Sequence, residues 1–222
     1  MDTKKIVIAV ASVVTALLLG VVVYSCCFRR APTHLEILGN SKVGQKVAKL
    51  FESACLNVSV NPKNFPTVMW PTDPEEPAMV ALEVEKMHPI AAPLMNVLTK
   101  WTLQYTDKNK PPTEAEAKEL REYASRLDAK TEILTTIEKL EKSVKDFEVK
   151  KRLTNESLKE IVTLVDLFDG EKPPASLKTM LSAVKTAASE LLVAYPEGLN
   201  KIEIMGFVMA CITPYMPIAA AH

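Results

Sequence analysis

Between Ile6 and Tyr24 the chain runs nineteen residues without a charge, IVIAVASVVTALLLGVVVY, with Lys4-Lys5 before it and Arg29-Arg30 shortly after. As a helix this run rises ~28 Å at about 1.5 Å per residue, close to the ~30 Å hydrocarbon core of a bilayer. Twelve of its residues are Ile, Val or Leu. At roughly −0.4 kcal/mol each they favour insertion by about −5 kcal/mol, and Ser12, Thr15 and Gly20 subtract only part of that. Such a β-branched stretch is a mediocre helix in water, but in lipid only helix satisfies its backbone. The expectation is a single transmembrane signal-anchor near the N-terminus.

Two other fates compete with that reading. A cleaved signal peptide needs a shorter core and a small-x-small site, and Val23-Tyr24-Ser25 is a poor one. A lipoprotein signal would end in Val23-Tyr24-Ser25-Cys26, with Tyr24 bulky where a small residue is usual. Cys26 and Cys27 also stand where S-acylation falls, so lipidation and plain interfacial packing both remain open for them. The flanking charges tie, and Lys42, Lys46 and Lys49 tip the orientation slightly toward a cytosolic domain. If the domain is instead lumenal or periplasmic, Asn57 and Asn155 head glycosylation sequons. Cys55 and Cys211 could then also form a disulfide, although Cys211, beside Met209, Ala210 and Ile212, reads more simply as a buried apolar residue.

Beyond the anchor the composition points to helix. The chain has 222 residues but only six glycines, few for a fold built on tight turns, and Leu, Ala, Lys and Glu dominate its second half. Setting aside Asp2, Lys4, Lys5, Arg29 and Arg30 leaves 23 basic and 26 acidic residues. A mildly acidic domain without a basic stripe argues against nucleic-acid binding. The fold class expected is all-α: one N-terminal transmembrane helix, then a multi-helix bundle with one long central helix.

The organisation divides into an anchor (1–30), a connecting region (31–78) and a helical bundle domain (79–222). Residues 31–40 read as linker. From Ser41 an amphipathic helix follows, with Val43, Val47, Leu50, Phe51 and Ala54 opposite its lysines. Its basic face could rest on headgroups, or its apolar face on the domain. Five prolines between Pro62 and Pro77, with Phe65 and Trp70 among them, imply an extended strap.

Asp73-Pro74-Glu75-Glu76 is a helix start. That helix is expected to end near Met87-His88-Pro89, with another from about 90 to 105. Thr113 and Glu116 form a capping box opening the longest pattern, about 114 to 152. Leu120, Leu127 and Leu134 recur there by sevens and Ile137, Leu140, Val144 and Phe147 follow. Such a helix could self-associate as a coiled coil or run through the middle of a monomeric bundle. Further helices are expected from about 157 to Gly170, from 176 to 194, and from Asn200, where Asn200 and Glu203 repeat the capping pattern. Residues 204–221 carry no charge, but Pro214 and Pro217 cut them too short to span a bilayer.

Chemistry is sparse. His34, His88 and His222 are dispersed, and no nucleophile, metal-ligand or phosphate-loop motif is present. Glu203 is explained by capping, and Asp166 with Asp169 by a solvated helix end. No catalytic, cofactor or metal residues are assigned and no enzyme is expected. The function expected is that of a membrane-anchored interaction protein, scaffold or accessory subunit. Its partners would be the lipid bilayer and proteins met through helical surfaces or the apolar C-terminal tail. The alternative is a lipoprotein-like or lumenal helical module that binds a hydrophobic ligand.

Overall fold

The computed structural model describes residues 32–57, 76–107, 109–150 and 152–212. The apolar run 6–24, Cys26, Cys27, the strap with Phe65 and Trp70, the Asp73-Pro74 start and the tail from 213 lie outside the described residues, as do the side chains of Phe51, Ala54, Cys55, Asn57 and Phe147. Among the described residues no helix is long and apolar enough to cross a membrane.

Those residues form eight helices: α1 His34–Gly39, α2 Lys42–Asn57, α3 Glu76–Thr106, α4 Glu114–Asp128, α5 Thr131–Lys150, α6 Asn155–Gly170, α7 Ala175–Ala194 and α8 Lys201–Ile212. Two short strands, β1 Arg152–Leu153 and β2 Leu199–Asn200, pair antiparallel, with Arg152 opposite Asn200. The chain is thus predominantly helical, as its composition implies. Helix α3 packs most extensively on α8 and also on α7, α6 pairs with α7, α5 with α2 and α6, and α4 with α1.

Local signals set many of the helix starts. Thr113 and Glu116 make the expected box: Thr113 N donates to Glu116 Oε2 at 2.8 Å and Glu116 N to Thr113 Oγ1 at 3.3 Å. Asn200 and Glu203 do the same at 2.6 and 3.0 Å. Thr154 caps α6 through Ser157 N at 3.3 Å. Helix α2 turns Val43, Val47 and Leu50 into the core and packs on α5, where its Lys46 meets Glu138 at 2.6 Å.

Three expectations are corrected. Residues 33–40 are not plain linker but the short helix α1, opened by a Thr33–Glu36 capping box. Residues 76–106 form one helix instead of two, with Pro89 and Pro93 inside it. Both rings lie on the exposed face, while Met87, Ala91, Leu94 and Leu98 bury the opposite side continuously across them.

The single helix expected over 114–152 is instead α4 and α5, broken at Ala129–Lys130. The break changes phase, so Ile133 is fully buried in place of Leu134, which is only half-buried. The residues that would have made a coiled-coil seam (Leu120, Leu127, Ile137, Leu140) face this chain's own core. The long helix of the bundle is α3, with 31 residues, rather than one over 114–152.

Two glycines fix close approaches. Gly206 lets α8 lie directly on Glu83 of α3, since a Cβ there would run into the Glu83 side chain. Gly198 has φ +87° in the turn before β2 and rests on Leu153 O. Helix α6 ends at Gly170, but the left-handed residue after it is Lys172, with φ 55°.

Candidate functional site

The described part of the site expectations resolves into individual packing roles. Cys211 is fully buried on α8, and burial pushes its thiol up to about 12. Its proposed partner Cys55 has a side chain outside the described ones. Asn155 is tied down: its Nδ2, the atom that would carry a glycan, donates to Pro196 O at 2.7 Å, and its Oδ1 is buried. Asp166 pairs with Lys185 across to α7, and Asp166, Asp169 and His88 are all exposed. Among the described residues, the positions singled out for chemistry are not brought together. Among the described residues no three His, Cys, Asp or Glu side chains are grouped so as to hold a metal ion.

A different cluster does form, and it joins three helices. Trp101 and Tyr105, four apart on one face of α3, stack with ring centroids 4.7 Å apart. The ring of His34, at the start of α1, leans on Tyr105 at 4.8 Å and 46°. Tyr105 Oη is hydrogen-bonded to Ser176 Oγ of α7. All three rings are buried, His34 with 8% of its surface exposed and Trp101 with 6%. Yet His34 Nδ1 and Trp101 Nε1 have no hydrogen-bond partner, an uncommon state for buried nitrogens.

The electrostatics follow from that burial. Loss of water around the imidazole holds His34 below its usual 6.5, and the Glu116 carboxylate only partly offsets this. Burial likewise raises the Tyr105 phenol, against its bond to Ser176. Glu116 itself is held below the usual carboxylate range by its bonds from Thr113 N and Oγ1. An open polar cleft of about 640 Å³ adjoins, lined by His34, Gln104, Thr106, Asp107, Lys110 and Glu116 among others.

Two further concavities matter. A void of about 60 Å³ lies beneath α1 and α2, bounded by Leu35, Leu38, Val47, Trp101, Tyr123 and Phe168 among other residues. An open groove of about 600 Å³ runs between α3 and α7, with Ile90, Leu94, Val97 and Ala187 in its lining and Lys178 and Glu190 among its polar groups. The i, i+4 spacing of Trp101 and Tyr105 was visible in the sequence. That His34, nearly seventy residues away, completes the cluster was not.

Comparison of the chain with protein-family models, with curated proteins and with solved structures finds no match.

Proposed function

We propose that this chain is a single-pass, membrane-anchored α-helical interaction protein, acting as a scaffold, tether or accessory subunit of a membrane assembly. The observation that carries the reading is the uncharged run from Ile6 to Tyr24 between two basic pairs, long enough for one span. Behind it stands a capped helical bundle with an open, mostly apolar groove between α3 and α7. Three large apolar side chains on α3, Met79, Leu82 and Leu103, are also exposed. Exposed apolar surface of this kind suits a protein partner. Cys26 and Cys27 sit where lipidation would add a second membrane signal.

The rival reading, a module binding a hydrophobic ligand, needs enclosed room. The void beneath α1 and α2 holds about 60 Å³, against roughly 300 Å³ or more for ordinary ligand sites. That weighs toward interaction.

Alkaline extraction of native membranes tests the anchor: the full chain should stay in the pellet, and a chain lacking 6–24 should be released. Release of the full chain would sink the anchor. Gentle detergent purification tests the role, which predicts a stoichiometric protein partner. A lone species turning over a small substrate would overturn it.

A further inference from the structure

The buried end of α1 is an unusual place for an imidazole. His34 opens the helix and sits against Tyr105, and its Nδ1 has no acceptor. A neutral ring tolerates this, because one nitrogen can remain a bare lone pair. An imidazolium cannot, since both nitrogens must donate and Nδ1 would present a buried N–H to nothing. The charged groups facing His34 do not repair that. From α4 the nearest is Glu116, exposed and already engaged by Thr113. Within α1 itself, Glu36 accepts from Thr33 N at 2.6 Å. Asp107 and Lys110, of opposite sign, line the cleft from the loop after α3. From α3 the contact is the Tyr105 ring, held by Ser176 of α7, and from α2 the close approach is made by uncharged Gly44 against Leu38.

We propose that α1 is an acid-released latch: protonation of His34 undocks it from the α3–α4 face and uncovers the apolar surface beneath.

The direction follows from proton linkage. In the docked state the imidazole titrates below 6.5, because burial opposes its charge. Undocked, it returns to the ordinary value. Between those two values the docked state binds fewer protons, so docking strengthens as pH rises and is lost as pH falls through 6.5. One proton can shift the equilibrium by no more than about tenfold per pH unit in that window. Leu35 and Leu38 help cover the void that Trp101 and Tyr123 line from below, so release would open it. Undocking does not depend on the anchor. Its consequence does: on the reading proposed above, α1 lies directly between the span and the bundle. Its six residues would lengthen the tether from ~9 Å as helix to at most ~20 Å extended.

The test is amide hydrogen exchange on the full chain in detergent micelles, corrected for intrinsic rates, from about pH 7.5 to about 5, a range that brackets ordinary histidine titration. The reporters are the Ile37 and Asn40 amides, which bond Thr33 O and Glu36 O. Their protection should fall, by at most about tenfold per pH unit below 6.5, while that of α6 and α7 holds, and His34→Gln and His34→Phe should each abolish the fall. Constant protection in the wild type overturns the latch. So does an equal fall in both variants, or a fall shared by α6 and α7. Should the variants fail to fold, an NMR titration of the wild-type imidazole decides: a value below 6.5 supports the latch, and one at or above it overturns it.

Discussion

Helix α3 carries two prolines in its interior, Pro89 and Pro93, besides Pro77 in its first turn, and stays whole, whereas the stretch from Glu114 to Lys150 contains neither proline nor glycine and breaks. Each proline removes one hydrogen bond and costs about 3 kcal/mol in a helix interior. In α3 the freed carbonyls of Glu85 and Pro89 belong to exposed residues, where water can serve them, while Met87, Leu94 and Leu98 on the other side are at most 3% exposed. Burying such side chains contributes roughly 1.5–3 kcal/mol apiece, enough to override the local penalty.

The break between α4 and α5 has the opposite origin. There Asp128, the last residue of α4, turns its carboxylate onto the start of α2 and accepts from Lys42 N at 3.0 Å and Val43 N at 2.8 Å. Ser41 Oγ accepts from Gly44 N at 2.9 Å, completing that helix start. Local propensity favours continuing; a neighbouring helix end and a shifted core phase end it.

The largest effect expected tests the α3 half of this comparison. Leu94→Ala should lower unfolding stability by about 3 kcal/mol in denaturant titration, since a large side chain is lost from a site without exposure. A loss under about 1 kcal/mol would mean that burial is not what holds α3 through its prolines. Next, Pro93→Ala should raise stability by about 1–2 kcal/mol, the helix gain being partly offset by a freer unfolded chain. A decrease would show that the ring is required where it stands.

For the α4–α5 half, Asp128→Ala should cost about 1–2 kcal/mol, the usual effect of losing a helix cap, with the greatest loss of exchange protection in the first turn of α2. No loss there would detach the break from the cap. Tyr195→Phe should be smaller, about 1 kcal/mol, by removing the 2.6 Å bond to Glu83 where α7 meets α3. Although burial works against its charge, Glu83 is held below 4.5 by hydrogen bonds from Lys86 and Tyr195 and by the Lys86 charge. Its contribution is therefore present above 4.5 and lost on acidification below it. The Phe variant should show a shallower acid loss, and an unchanged acid limb would contradict the assignment. Smallest of all, Lys130→Ala should barely move the midpoint, because the lysine is exposed and a surface pair of this kind contributes little, even though Glu171 is half-buried.

Much of the helical layout could be read directly. The boxes at Thr113–Glu116 and Asn200–Glu203 rest on hydrogen bonds between residues three apart, and the inward face of α2 and the apolar α8 follow from the spacing and type of their own residues. Where the reading failed, the deciding contact was mostly distant: the Asp128 cap spans 86 residues to Lys42. Helix α1 is the exception, since its Thr33–Glu36 box is local and stood in the sequence, although the surface it docks on belongs to α3 and α4. The candidate site divides the same way: the Trp101–Tyr105 stack is local, while His34 and Ser176 reach it only through folding.

By itself, then, the sequence determined the helical class, most helix starts, and a charge-free run whose length and flanks suit a bilayer, because these depend on composition, spacing and short-range hydrogen bonds. Only the tertiary structure decided that α3 runs through its prolines, that α4 and α5 part at Ala129–Lys130, and that a histidine is buried against Tyr105 without a partner for its Nδ1. Each of those outcomes sets a local cost against burial or capping by a distant segment, and a chain read residue by residue contains only the local side of that balance.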